Sequence, residues 1–148
     1  MLWLLRHAEA ADGRPDEARP LTKRGIRDAR RTGLALARLG VHLDVCLSSP
    51  KRRALETAEL VCEPLGVKVV AEPALAGSRY EPEHLAAGLG DVLLVGHNPA
   101  ISSVLCDLTG AHVRMRKAGI AGVDGRELVV LMTPGEISVI AELAEAAA

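Results

Sequence analysis

Four short apolar runs of strand length alternate along this chain with longer stretches of helical periodicity. The runs span residues 2–5, 43–47, 67–71 and 92–95. Short apolar runs separated by helices are typical of a mainly parallel sheet with helices on both faces. The order of the patterns therefore predicts an α/β fold, and the length of 148 residues suits a single domain, residues 1–148.

Helical patterns fill the gaps between these runs. Apolar residues recur at steps of three and four over residues 22–39 and again over residues 50–65. A third helix is predicted over residues 99–108. Phe is absent, and Trp3 and Tyr80 are the only aromatic residues, so we expect a core of aliphatic side chains beneath Ala-rich helices.

The C-terminal part of the chain shows a different pattern. Residues 119–123, 127–132 and 138–143 read as strands, and two turns separate them, Asp124-Gly125 and Pro134-Gly135. Antiparallel edges are common on otherwise parallel sheets. We therefore predict a mainly parallel sheet that ends in an antiparallel edge.

No part of the sequence has the pattern of a membrane span or a secretion signal. The apolar start, residues 1–5, is too short for a signal peptide, and no run approaches about 18 apolar residues. Cys46, Cys62 and Cys106 lack the CxxC spacing of zinc knuckles, and their odd number argues against a disulfide framework. We therefore expect a soluble protein of the reducing cytoplasm, without membrane association.

Charge is divided unevenly along the chain. Residues 1–53 carry 12 Lys and Arg against 6 Asp and Glu, whereas residues 54–148 carry 6 against 13. Such asymmetry can indicate nucleic-acid binding, but the aromatic residues on which bases stack are missing, so we expect no nucleic acid. An anionic small group explains the basic part equally well, and a solvated helix face accounts for most of its arginines.

Polar and charged clusters follow three of the predicted strands. The first strand runs into Arg6-His7-Ala8-Glu9, the second into Ser48-Ser49-Pro50-Lys51-Arg52-Arg53, and the fourth into Gly96-His97-Asn98-Pro99. Ligands of open α/β sheets bind beyond the carboxyl ends of the strands. We therefore expect the three clusters to converge, although they are far apart in the sequence.

Two of these clusters also precede helices. Ser49 and Asn98 are favourable N-cap residues, and each is followed by a proline at the predicted first helical position. Helix N-termini attract anions through unpaired N–H groups and the helix dipole. Arg53 is predicted to lie one turn into its helix, from where its side chain can reach back over that end.

This set of residues indicates transfer of a phosphoryl group. Arg6 and Arg53 can each bind a phosphoryl group through two guanidinium donors, and His7 could present a ring nitrogen to phosphorus. His97 and the N–H of Asn98 could donate hydrogen bonds to phosphoryl oxygens. Each signal alone is weak, but no structural role explains all three strand ends together.

A metal centre is an alternative for the same residues. His7 and His97 could compose a zinc or iron site together with Glu9 or Asp107. Two arginines beside the same point would repel a cation. We therefore expect neither a metal nor another cofactor.

The motifs resemble those of the histidine phosphatase superfamily, which is also called phosphoglycerate mutase-like. LLRHAEA resembles the family signature around the nucleophilic histidine, and RPLTKRG, SSPKRRALETA and LLVGHNP match later family segments in the same order. The correspondence spans essentially the whole chain. RHAEA followed by RPLT, together with the short length, resembles the SixA-type phosphohistidine phosphatases.

The resemblance implies a three-layer αβα sandwich and metal-independent hydrolysis. It also implies that His7 attacks phosphorus within a phosphate pocket formed by three residues, namely Arg6, Arg53 and His97. Arg19 would lie at the mouth of that pocket. The family arginine matches Arg53 and not Arg52, and consecutive helix residues do not share a face.

One departure from the family pattern bears on the substrate. Many members carry a glutamate general acid shortly after the third strand, where this chain has Leu75-Ala76-Gly77. Glu72, Glu81 and Glu83 are nearby, and the sequence assigns the acid to none of them. An alkoxide leaving group needs protonation in the transition state, whereas phosphohistidine can release a neutral imidazole. The departure therefore favours phosphohistidine over unactivated sugar phosphates.

The resemblance also implies the partner. We expect a phosphorylated protein, such as a histidine phosphotransfer domain, or a small phosphorylated metabolite. A general small-molecule phosphomonoesterase is the alternative within enzymes. A non-catalytic phosphate-binding module is the alternative of another class, although such a module has no need for a nucleophile.

Overall fold

The computed structural model describes residues 1–147, which form a six-stranded sheet with helices on both faces. The strands are β1 (Leu2–Arg6), β2 (Val45–Ser48), β3 (Val69–Ala71), β4 (Val92–Gly96), β5 (Ile120–Asp124) and β6 (Glu127–Met132). The helices are α1 (Lys23–Arg38), α2 (Arg52–Cys62), α3 (Pro82–Ala86), α4 (Ala100–Thr109) and α5 (Pro134–Ala147). None of the helices in this part of the chain is long and apolar enough to cross a bilayer.

The order of strands across the sheet is β3-β2-β4-β1-β5-β6. The first four of these strands are parallel, β5 is antiparallel to β1, and β6 is antiparallel to β5. The central strand β4 is buried along its whole length, as expected of a strand that is covered on both faces. The prediction of a mainly parallel sheet with an antiparallel edge is confirmed.

Helices cover the sheet in two layers. Successive side chains of a strand point to opposite faces, so Leu5 of β1 packs in a cluster with α1 and α2, while Leu4 packs in a second cluster with α4. Helix α5 joins the first layer through Ile137. The αβα sandwich is therefore confirmed, with an aliphatic core on each side of the sheet.

The strand predicted over residues 138–143 was wrong, because these residues belong to helix α5. Pro134-Gly135, predicted as a turn, begins this helix, and the Thr133 N–H donates to the Glu136 carboxylate at 2.9 Å. This bond is the glutamate half of a Thr-x-x-Glu capping box, and proline occupies the first helical position. Ile137 and Ala141 are buried at a spacing of four, which is the period of a helix. The strand was predicted because this segment is rich in β-branched residues, which favour strands.

The helices α2 and α4 begin later than predicted. The N-cap of α2 is Lys51 and that of α4 is Pro99, so Ser49 and Asn98 are not N-caps. Their side chains bond elsewhere. The Ser49 hydroxyl contacts the His97 ring, and Asn98 binds a carbonyl of the loop that precedes β5. Both side chains are thereby part of the site described below.

Candidate active site

The three polar clusters meet at the carboxyl ends of adjacent strands, because β4 lies between β2 and β1. The His7 N–H donates to the Gly96 carbonyl at 3.0 Å, and the Ser49 N–H donates to the Val95 carbonyl at 3.0 Å. The ring centroids of His7 and His97 are 5.0 Å apart. The predicted convergence of the clusters is therefore what the sheet order produces.

The ring of His7 is held in one tautomer. Its Nδ1 lies 2.7 Å from the carbonyl oxygen of Ala8. A carbonyl only accepts hydrogen bonds, so Nδ1 carries the proton and Nε2 carries the lone pair. The Ala8 N–H in turn donates to the Thr57 hydroxyl at 3.0 Å, which ties this turn to α2.

His7 is also kept neutral. Burial is the main cause that lowers its pKa to about 4, the hydrogen bond to Ala8 opposes it, and the positive charges of Arg53, Arg6 and Lys117 add to it. A depressed pKa means that the proton is lost well below neutral pH. At pH 7 the ring therefore has a free lone pair on Nε2, which is the form that a nucleophile requires.

We expect ring ¹⁵N shifts of His7 to show a neutral Nδ1–H tautomer from pH 8 down to pH 5, with protonation as the pH approaches about 4. The His7→Ala variant assigns the signals, and the exposed ring of His84 serves as a reference in the same spectra. Protonation of His7 near its ordinary value of about 6.5 would contradict the electrostatics described here.

His97 is the second buried imidazole of the site. Its Nε2 lies 2.7 Å from the Ser49 hydroxyl oxygen. Burial is the main cause that lowers its pKa to about 3, and repulsion from Arg53 and from His7 when that ring is protonated adds to it. When the Ser49 hydroxyl donates to Nε2, the proton of the neutral ring lies on Nδ1, which then becomes a hydrogen-bond donor.

Arg53 is the second residue of α2 rather than one turn into it, and its side chain is only 8% exposed. Its Nη1 donates to the backbone carbonyl of Asp16 at 2.9 Å, and its Nη2 donates to the Asp16 carboxylate at 3.2 Å. These two bonds orient the guanidinium plane and leave its other N–H groups for a ligand. Arg52 points away and pairs with Glu56 at 2.5 Å.

Asp16 forms ion pairs with three basic side chains, and the sequence analysis did not predict this cluster. Besides Arg53, its carboxylate binds Arg19 Nη1 at 3.1 Å and Lys51 Nζ at 3.3 Å. Hydrogen bonds from Arg19 and Arg53 help to lower the pKa of Asp16 to about 2. Arg19 is held further by a bond from Nε to the Ala11 carbonyl. The Asp16–Arg19 spacing of three was the one available signal.

Arg6 ends β1 on the other side of His7. Its Nη1 donates to the Met115 carbonyl at 2.9 Å, and the same oxygen accepts a hydrogen bond from the Asn98 amide at 3.1 Å. The Asn98 oxygen accepts from the Ser102 hydroxyl. The Asn98 side chain is therefore committed to positioning the loop beside Arg6.

The RPLTKRG segment, residues 19–25, packs against the turn that follows His7. Thr22 caps α1 by accepting from the Gly25 N–H at 3.0 Å, and its own N–H donates to the Glu9 carbonyl at 3.0 Å. A Cβ on Gly25 would lie 2.1 Å from that Glu9 carbonyl oxygen. Only glycine allows the start of α1 to approach the chain this closely.

Three buried side-chain polar atoms within residues 1–147 have no hydrogen-bond partner, and they are Arg6 Nε, His97 Nδ1 and Tyr80 Oη. A Cβ on Gly96 would lie 3.6 Å from the Tyr80 hydroxyl, so all three belong to the same end of the sheet. A buried polar atom without a partner costs about 1–3 kcal/mol. Their grouping indicates a site for a polar ligand.

The segment Leu75-Ala76-Gly77, where many family members carry the general acid, contributes no carboxylate to the site. Leu75 is fully buried in the core on the α4 side. The Glu72 carboxylate accepts from the Ala74 N–H at 3.1 Å, and Glu81 pairs with His84 at the surface. Glu72 and Glu81 therefore have local partners of their own.

The metal alternative gains no support from the ligand geometry. Over residues 1–147, no group of three or more His, Cys, Asp and Glu side chains is arranged to hold a metal ion. Glu9 instead accepts from the Thr22 hydroxyl. Asp107 lies on α4 and lines surface cavities that contain neither His7 nor His97.

Known proteins share both the sequence pattern and the fold. The model of the histidine phosphatase superfamily (branch 1) matches residues 2–82. An uncharacterized protein of Picosynechococcus sp. (strain PCC 7002) is 31% identical over 141 residues, which covers 82% of this chain and 83% of the relative.

Two solved structures are similar over almost their whole length. The protein histidine phosphatase SixA, complexed with tungstate, superposes with a TM-score of 0.80 at 25% identity, covering 92% of this chain and 98% of that one. A putative phosphohistidine phosphatase SixA from Agrobacterium tumefaciens gives a TM-score of 0.79 at 25% identity, covering 90% and 97%. With the family model matching more than half of its residues, this chain belongs to branch 1 of the histidine phosphatase superfamily.

Proposed function

We propose that this protein hydrolyses phosphohistidine through a covalent phosphohistidine intermediate on Nε2 of His7. The observation that carries the proposal is the state of His7, a neutral ring whose Nδ1–H is bonded to Ala8 and whose Nε2 lone pair is free. The two SixA proteins are named for phosphatase activity on histidine-bound phosphate, which supports phosphohistidine as the substrate class. Tungstate, bound by one of them, is a tetrahedral oxyanion like phosphate.

In the first step, the Nε2 lone pair of His7 attacks phosphorus in line with the P–N bond of the substrate. That bond breaks and its electron pair returns to the substrate imidazole, which leaves as a neutral ring after protonation by solvent. Three groups bind the phosphoryl oxygens, namely Arg6, Arg53 and the Nδ1–H of His97. These cationic and neutral donors stabilise charge where it accumulates, so they lower the barrier.

In the second step, water attacks phosphorus and the P–N bond to His7 breaks. Because Nδ1 keeps its proton throughout, the phosphorylated ring is cationic and its departure from phosphorus regenerates a neutral imidazole. The Ala8 carbonyl, 2.7 Å from Nδ1, stabilises the cationic ring. The water gives its proton to the departing phosphate and solvent, and the resting enzyme returns.

Leaving-group chemistry supports the choice of phosphohistidine over a phosphate ester. Ring nitrogen can be protonated before the P–N bond breaks, whereas an alkoxide needs a proton donor in the transition state. Gly77, the last residue of Leu75-Ala76-Gly77, stands where the Leu-x-Glu pattern of many family members has that donor. We therefore propose that unactivated esters react slowly here because no carboxylic acid assists the leaving group.

A substrate panel tests this function. We expect kcat/KM for a phosphohistidine peptide to exceed that for glycerol phosphate by about 100-fold or more, which is the contribution expected of a general acid. An aryl phosphate, whose leaving group needs less assistance, should fall between the two. Equal rates for the peptide and the alkyl ester would favour the general phosphomonoesterase instead.

The same panel tests metal independence. Enzyme pretreated with EDTA should retain its rate on the phosphohistidine peptide, because every proposed phosphate ligand is a protein side chain. A loss that added Zn²⁺ or Fe²⁺ restores would overturn this part of the proposal.

We also propose a cytoplasmic location. Cys46, Cys62 and Cys106 are free thiols in the part of the chain that the structure covers. A reducing compartment preserves such thiols.

A further inference from the structure

A basic segment lies beside the candidate active site, in the loop between α4 and β5. Residues 54–148 carry 6 Lys and Arg, and three of them fall within four positions, Arg114, Arg116 and Lys117. All three side chains are exposed. We call these three residues the basic rim. The rest of this part of the chain is acidic, so the rim is a local concentration of positive charge.

The basic rim is attached rigidly to the catalytic strand ends. Met115, between its members, is 1% exposed, and its carbonyl holds both Arg6 and Asn98. The Ala118 N–H donates to the Arg6 carbonyl at 3.0 Å, and the Ala118 carbonyl accepts from Thr32 at 3.2 Å. The backbone within the rim and directly after it is therefore held against β1 and α1.

The charges of the basic rim are not neutralised by the protein. Within residues 1–147, none of its three side chains has a carboxylate within 4.0 Å. Two other arginines near the site are paired with carboxylates, Arg53 with Asp16 and Arg24 with Asp28. The rim charges therefore remain available to a partner.

The basic rim adjoins the candidate phosphate site through Arg6. Its side chains and Arg6 line one cavity of about 570 Å³ at the surface. Two acidic residues, Glu9 and Asp28, also line this cavity. Asp28 is paired with Arg24 and Arg27, and Glu9 accepts from the Thr22 hydroxyl, so both have partners within the chain. The positive charge of the rim dominates the approach to Arg6.

We propose that the basic rim binds acidic residues that flank the phosphohistidine of a protein partner. This inference rests on the proposed function and names its substrate more closely. An imidazole-bound phosphoryl group fills the pocket of Arg6, Arg53 and His97, and carboxylates beside it contact the rim. Complementary charge at the edge of an interface raises the association rate and selects partners.

Matched peptides test the proposal. One carries a phosphohistidine flanked by Asp and Glu, and the other carries it flanked by Ser and Gly. In 20 mM salt (about a tenth of physiological ionic strength), we expect wild type to show about tenfold higher kcat/KM on the acidic peptide. The Arg114→Gln/Arg116→Gln variant should lose that preference, while its rate on free phosphoimidazole changes less than about twofold.

The control is Arg126→Gln, which removes an exposed arginine from a different surface cavity, one that Glu81 and Asp107 also line. It should leave the preference for the acidic peptide intact. Raising the salt to 300 mM should shrink the preference of wild type and leave that of the rim variant unchanged, because exposed charges are screened. Equal kcat/KM for both peptides in wild type would overturn the proposal.

Binding to the His7→Ala protein separates this proposal from the function itself. If neither peptide is hydrolysed by wild type, the proposed function fails, yet tighter binding of the acidic peptide that depends on the rim still supports the surface. Equal binding of both peptides overturns the surface whether or not turnover occurs. Stronger competition by a single-stranded oligonucleotide than by the acidic peptide would also overturn it, because the rim would then fit a nucleic acid.

Discussion

Replacing His7 by alanine is expected to lower kcat by about 10⁴-fold or more, because the variant loses the atom that forms the covalent bond to phosphorus. Wild type, quenched in denaturant at high pH after mixing with a labelled phosphohistidine peptide, should retain label in a base-stable, acid-labile linkage. His7→Ala should retain none. Separation of intact protein from peptide, followed by counting, measures both.

A matched variant makes this result specific. His84→Ala removes an exposed imidazole that pairs with Glu81 at the surface, and it should keep wild-type turnover and label. Circular dichroism and thermal melting of His7→Ala should show a folded protein, since the removed ring lies at the end of β1 rather than within either core cluster. Label that persists in folded His7→Ala would mean that another residue is the nucleophile.

Replacing Arg53 by lysine is expected to lower kcat/KM by about 10²- to 10³-fold, as for the loss of one transition-state donor. Arg53 donates two N–H groups to Asp16, and its remaining guanidinium N–H groups can donate to the phosphoryl group. A lysine ammonium cannot serve both partners in one plane. The positive charge is retained, so any loss of activity in this variant measures the contribution of the planar guanidinium geometry.

The neighbouring residue provides the control for this prediction. Arg52→Lys changes the same side chain one position away, where it is exposed and pairs with Glu56, and it should keep its activity within about twofold. Tungstate titration followed by calorimetry should show weaker binding to Arg53→Lys and unchanged binding to Arg52→Lys. Wild-type kinetics in Arg53→Lys, or a larger loss in Arg52→Lys, would show that the wrong arginine was chosen.

Strand and helix patterns predicted most of the fold, because most of these elements are decided by local periodicity. The run over residues 92–95 became β4, the strand over residues 127–132 was predicted to the residue, and the helix over residues 22–39 became α1 with Thr22 as its N-cap. The short helix α3 was not predicted, and helix α5 was predicted as a strand. Its Val139 and Ile140 favour strands in isolation, and its packing through Ile137 against the first layer decided otherwise.

Some residues of the candidate site were also predicted from local sequence, and others were not. His7, Arg6, Arg53 and His97 were named from short motifs, since each motif follows a strand and parallel strand ends share one edge. The roles of these residues remain predictions. Asp16 was not named, because no motif surrounds it and its role depends on contact with Arg53, 37 positions away.

Local sequence was therefore sufficient for the class of fold and for the residue types of a phosphoryl site, since strand alternation and strand-end motifs are short-range properties. The tertiary structure alone decided which nitrogen of His7 is free, how Arg53 is oriented, and where the basic rim lies. The Met115 carbonyl reaches Arg6 across 109 positions of sequence, and Thr57 reaches the Ala8 N–H across 49. Such bonds depend on the sheet order and on the burial that follows from it, which no local pattern contains.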